Sequence, residues 1–195
     1  MAAPKKSSKK PRAPFAGVFA PFIKETRKVF RFLVSEFGFE QFDTSIVSYE
    51  CSVRYRKDGR VAVAVFCEAG ALPWVLLTGR YRPRPGRPYR VKEAAVDFVI
   101  DHRCPQRQIE LPDDPFPVPH AAVSAVLRQY AAALRECAVD FLNGDPSVVV
   151  AVQPAVDVAY RQRLADDWRE ERAAVAAYKK KMRMKGKAKK KAPKS

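Results

Sequence analysis

Apolar residues recur at helical spacing from Pro21 to Phe37, where Phe22, Val29, Phe30, Leu33, Val34 and Phe37 alternate with Lys24, Arg27, Lys28 and Arg31. That spacing predicts a helix with Pro21 in its first turn, where a missing N–H costs nothing, and Gly38 as its stop. The period then changes to two. From Ile46 to Arg56 the residues Val47, Tyr49, Cys51, Val53 and Tyr55 fall on one side and Ser48, Glu50, Ser52, Arg54 and Arg56 on the other, the pattern of a half-buried strand. Asp58-Gly59 predicts a turn, because both residues tolerate positive φ. Val61, Val63 and Val65 alternate with Ala62, Ala64 and Phe66, so the next strand is apolar on both faces and is expected inside the sheet. Leu72 to Thr78 fits a third strand.

Gly79 to Arg90 reads as a loop, G-R-Y-R-P-R-P-G-R-P-Y-R. Val91 to His102 fits a helix, and Val96 to Ile100 within it also fits a strand; the helix is favoured. Cys104 to Pro119 holds Pro105, Pro112, Pro115, Pro117 and Pro119 and predicts an extended connector. The strongest helical stripe lies between Pro119 and Leu142: Val123, Val126, Leu127, Tyr130, Leu134, Cys137, Ala138, Phe141 and Leu142. Asn143-Gly144-Asp145 ends it, and Asp145-Pro146-Ser147 opens a short further element. A last helix is predicted over Ala155 to Met184. The fold class that follows is α+β: a small antiparallel sheet of three to four strands packed by an N-terminal helix and two long C-terminal helices.

Charge changes the picture at both ends. Residues 1–14 carry five cations and no acid, and residues 179–195 carry ten cations and no acid. The net charge is +16, so the body between them is close to neutral. Lys/Pro/Ala/Ser arms of this kind bury no core. They predict disordered segments at 1–14 and 179–195 flanking a single domain at 15–178. Lysine suits phosphate without reading sequence. The expected partner is therefore a nucleic acid, bound non-specifically through Lys179, Lys180, Lys181, Lys185, Lys187, Lys189, Lys190 and Lys191. The loop adds Arg80, Arg82, Arg84, Arg87 and Arg90, interleaved with Tyr81 and Tyr89. Arginine recognises phosphate bidentately and tyrosine offers a stacking face.

Catalytic chemistry has no comparable support. Phosphate-binding, nucleophile-elbow and metalloprotease patterns are absent from the sequence. His102 and Cys104 are two residues apart, but His120 is separated from them by prolines and no further ligand has a zinc-site spacing. Asp113 and Asp114 read as loop solvation. Asp166, Asp167, Glu170 and Glu171 read as a solvated helix face paired with Arg163, Arg169 and Arg172. No cofactor is expected and no enzymatic role. No apolar run approaches the roughly 20 residues of a membrane span. Cys51, Cys67, Cys104 and Cys137 form no C-x-x-C pair and are expected as reduced thiols in the cytoplasm.

The order Phe32-Leu33-Val34-Ser35-Glu36-Phe37-Gly38-Phe39, an alternating hairpin, then Leu72-Pro73-Trp74-Val75 resembles a broad group of small bacterial α+β proteins of uncharacterised function. Those proteins also carry a long helix, a turn like Gly144-Asp145-Pro146-Ser147-Val148 and a final helix. The resemblance spans Pro21 to Leu164. Some members look like immunity proteins for bacterial toxins, which implies a protein partner and no catalysis. The basic arms and the arginine-rich loop depart from that pattern.

Overall fold

The computed structural model describes residues 16–112 and 117–191. The N-terminal arm and the pair Asp113 and Asp114 therefore lie outside the described residues. The chain divides into two compact units, 1–153 and 154–195.

Within the first unit the described residues form an α+β structure. Five strands run β1 (Glu40–Val47), β2 (Glu50–Lys57), β3 (Val61–Glu68), β4 (Trp74–Tyr81) and β5 (Arg90–Ala95). They pair in chain order as an antiparallel meander. The sheet thus has one strand more than the upper expectation. The expected strand from Ile46 to Arg56 is in fact a hairpin. Val47 pairs with Glu50 across a two-residue turn in which Ser48 has φ 54°. Val47 and Tyr49 are exposed, and only Cys51, Val53 and Tyr55 of the predicted apolar side are buried. The second hairpin follows expectation. Asp58 and Gly59 both take positive φ, and Arg60 N–H donates to Lys57 O at 3.0 Å. β3 is the central strand, as its two apolar faces require. β4 extends to Tyr81 and β5 begins at Arg90, so the loop expected over Gly79 to Arg90 shrinks to 82–89.

Among the described residues of this unit are six helices: α1 (Ala16–Val29), α2 (Arg31–Ser35), α3 (Val96–Arg103), α4 (His120–Cys137), α5 (Val139–Leu142) and α6 (Ser147–Ala151). The single helix expected over Pro21 to Phe37 starts earlier, with Pro21 in its interior, and breaks at Phe30. Gly38 at φ 71° ends it as expected, with Phe39 N–H donating to Leu33 O at 2.9 Å. The long helix expected to Leu142 likewise breaks at Ala138. Its buried stripe is nonetheless the one predicted, from Val123 to Leu142. The core joins that stripe to Phe19, Phe22, Phe30 and Leu33 and to a row across the sheet made by Tyr55, Val63, Leu77 and Ala94. The opposite face of the sheet is only half covered, and there Phe66 stacks on Trp74 with ring centroids 5.4 Å apart.

Cys104 caps the C-terminus of α3 and Cys137 ends α4. The structure joins them as a disulfide, with Cα atoms 6.0 Å apart. This corrects the expectation of four reduced thiols. The pair is 33 residues apart, so only the packing of α3 on α4 brings it together. A cross-link closing a loop of that size stabilises a fold by about 3–4 kcal/mol, chiefly by restricting the unfolded chain. Reduction, or Cys104→Ser, is expected to lower the urea midpoint by the equivalent of that energy. An unchanged midpoint on reduction would show the bond to be absent.

In the second unit the described residues form one helix, α7 (Gln153–Lys191), of 39 residues. It starts and ends beyond the predicted Ala155 to Met184, and its backbone is helical through lysines expected in a disordered arm. No described helix is long and apolar enough to cross a membrane.

Candidate nucleic-acid interface

The β4–β5 connection is shaped by its prolines and one glycine. Arg84-Pro85-Gly86-Arg87 forms a turn in which Arg87 N–H donates to Arg84 O at 3.2 Å and Gly86 takes φ 78°. Proline at the second position and glycine at positive φ in the third are what a type II turn demands. This turn divides the five predicted arginines. Arg84, Arg87 and Arg90 line one cleft of about 460 Å³ with Pro83 and Pro88. Arg80 and Arg82 flank the Tyr89 ring, their guanidinium carbons 5.4 and 4.4 Å from its centroid.

The second group includes a residue the sequence analysis passed over. Arg60 follows the Asp58-Gly59 turn, and its carbonyl accepts from Arg80 N–H at 2.7 Å, so the two residues lie side by side at the end of β3 and β4. Arg80 Nη1 also donates to Gly59 O at 3.3 Å. Arg60, Arg80, Arg82, Tyr81 and Tyr89 together border a cleft of about 480 Å³, closed on its far side by Asp145, Pro146, Ser147 and Val150. Asp145 is the one acid on that wall, and its carboxylate is engaged: one oxygen accepts from Ser147 N–H and the other from Ser147 Oγ, both at 2.9 Å. The only sequence signal for Arg60 was its place beside an Asp-Gly turn, and strand pairing alone sets it next to Arg80.

Gly79 holds this wall in place. A Cβ there would stand 2.7 Å from Pro146 Cβ. The strand backbone therefore touches the start of α6 directly, as only glycine allows. Gly79→Ala should push α6 away and cost about 1–3 kcal/mol, read as a lowered denaturation midpoint.

Charge pairing separates these arginines from others in the molecule. Arg54, Arg56, Arg103, Arg107, Arg128, Arg135 and Arg169 each meet a carboxylate within ion-pair distance. Among the described residues, Arg60, Arg80, Arg82, Arg84, Arg87 and Arg90 meet none. Of the predicted lysines, Lys179 to Lys191 lie on the C-terminal part of α7, in the other compact unit.

The alternative chemistries fare differently. The thiols of Cys51 and Cys67 are buried, and desolvation pushes them up to about 11 and about 12, which suppresses the thiolate a nucleophile needs. The ligand atoms of Cys104, Glu136 and Cys137 lie within 4.8 Å of one another, without His102. Both sulfurs are committed to the disulfide and Glu136 to an ion pair with Arg107. The group therefore lacks three free ligands for a metal. Tyr130 Oη donates to Asp97 Oδ2 at 3.5 Å beside a cleft of about 310 Å³. Burial raises the Asp97 carboxyl and, with the carboxylate beside it, raises the Tyr130 phenol. Among the described residues, the candidate ligands or acid–base groups that line that cleft are the carboxylates of Asp97 and Asp101 and the Tyr130 phenol. Comparison of the chain with protein-family models, curated proteins and solved structures finds no match.

Proposed function

We propose that the protein is a non-enzymatic binding module that attaches to nucleic acid without sequence preference. The observation that carries this reading is the set of six arginines at the β4–β5 end of the sheet that meet no carboxylate among the described residues: Arg60, Arg80 and Arg82 beside Tyr81 and Tyr89 in one cleft, and Arg84, Arg87 and Arg90 in another. Their guanidinium groups offer planar forks for phosphate oxygens, and the tyrosine faces offer stacking surfaces that accept any base. The acid-free lysine segment from 179 supplies further point charges for a polyanion. Contacts to phosphate carry no sequence information, so affinity without sequence specificity is expected. The expected compartment is the cytoplasm, where the Cys104–Cys137 pair would meet a reducing environment.

The test compares three full-length proteins for binding to labelled RNA and DNA: the unaltered chain, an Arg60→Ala/Arg80→Ala/Arg82→Ala variant, and a variant with the lysines from 179 to 191 replaced by glutamine. Both variants are expected to bind more weakly than the unaltered chain. Absence of binding by the unaltered chain at low salt would overturn the proposal.

A further inference from the structure

α7 carries an apolar seam on an otherwise polar helix. Leu164, Trp168, Val175 and Tyr178 are all exposed, Trp168 at 60%. Their separations of four, seven and three place them at the a and d positions of a heptad, with Met182 as the next a position. Trp168, Glu171, Arg172, Val175 and Ala176 shape a hollow of about 340 Å³ midway along the seam. In folded proteins most helical stability comes from packing an apolar face, and covering such a seam supplies it.

The seam positions 164, 168, 171, 175, 178 and 182 mirror one another about Ala173, which suits a second copy, and charge sets its direction. Residues 157–172 carry five acids and four arginines, whereas residues 179–191 carry nine cations and no acid. A parallel pair of these helices would set nine cations against nine. An antiparallel pair centred on Ala173 sets those cations against residues 155–167, which carry three acids and two arginines. We propose that α7 is a self-association helix and that its seam is covered by α7 of a second copy of this chain, running antiparallel.

The register follows from the seam. Antiparallel helices place a positions against d positions, and centring the pair on Ala173 matches the most apolar levels. Trp168 then lies level with the second copy's Tyr178, and Leu164 level with its Met182. Asp167, at g, comes beside the second copy's Lys181, also at g. Glu171 is the one charged residue on the seam at d, level with Val175, and a polar seam position specifies register at some cost in stability. The cations exceed the facing acids, so the pair keeps a positive surface for the polyanion proposed above.

Two measurements on the full chain test this, after nuclease treatment. Sedimentation equilibrium should give twice the chain mass. Leu164→Cys and Met182→Cys variants, each oxidised alone, should not cross-link, because like positions would sit about 27 Å apart along the axis, at 1.5 Å per residue. Mixed, they should form a disulfide-linked pair, since level positions come within the roughly 7 Å that a disulfide spans. The unaltered chain, with Cys51 and Cys67 buried and Cys104 joined to Cys137, is the control. A monomer mass at every concentration would overturn the proposal, including the case in which the seam docks on its own chain. Leu164→Cys cross-linking to itself would do the same by showing a parallel pair. A dimer that disappears with nuclease would show bridging by nucleic acid instead.

Discussion

Raising salt from 50 to 200 mM should weaken the full chain's grip on RNA or DNA by about a thousandfold. Engaging six phosphates releases the counterions condensed on them, and log K then falls with log salt at a slope of about −5. A fourfold rise in salt at that slope is about three powers of ten. The arginine cleft steepens the dependence, with each further phosphate contact adding about 0.9 to the slope. The Arg60→Ala/Arg80→Ala/Arg82→Ala variant should therefore bind with a slope shallower by up to about 3. Tyr89→Ala should act differently. Removing the ring that Arg80 and Arg82 both approach takes away a stacking face, worth about 1–3 kcal/mol on single strands, and leaves the slope nearly unchanged. A titration across salt, with a single-stranded and a duplex probe, separates these outcomes. A flat salt dependence for the unaltered chain would remove phosphate contact as the basis of binding.

Phe30→Ala should destabilise the first unit by about 3–5 kcal/mol. Phe30 is fully buried where α1 breaks into α2. Its ring centroid lies 6.1 Å from that of Phe32 and 6.4 Å from that of Tyr55, so it ties the helical layer to β2. Truncation forfeits the transfer free energy of the ring and leaves a cavity that backbone from two helices and a strand cannot readily close. In a domain of this size the loss corresponds to a melting temperature lower by about 10 °C or more. Phe30→Leu keeps most of the volume and should cost much less. Equal effects from the two substitutions would show that the site collapses freely and that the ring does not act as a packing tie.

The elements most legible in the sequence are those whose side chains are buried in a regular pattern. α4 and its continuation could be read because Val123 through Leu142 repeat at helical spacing and are buried. β3 could be read because a two-faced apolar strand has to lie inside a sheet. The edge strands show the converse. β1, with the sequence Glu-Gln-Phe-Asp-Thr-Ser-Ile-Val, has no buried residue, and so its side chains leave no alternation to find. β5 contains Lys92-Glu93-Ala94-Ala95, good helix formers, yet it pairs with β4 because backbone hydrogen bonds there outweigh weak local propensity. The turn at Ser48-Tyr49 contains no glycine, and without that signal the β1–β2 hairpin read as one strand.

The candidate site divides in the same way. Composition alone marked Arg80, Arg82, Arg84, Arg87 and Arg90 with their tyrosines and prolines, and it marked the lysine segment, because charge density needs no fold to be recognised. Tertiary structure decided that Arg60 stands beside Arg80, that Gly79 admits Pro146 to wall the cleft, and that Cys104 meets Cys137. Periodicity and charge are properties of neighbours along the chain. Each of those three meetings joins residues at least 20 positions apart, and such residues become neighbours only when the strands pair and the helices pack.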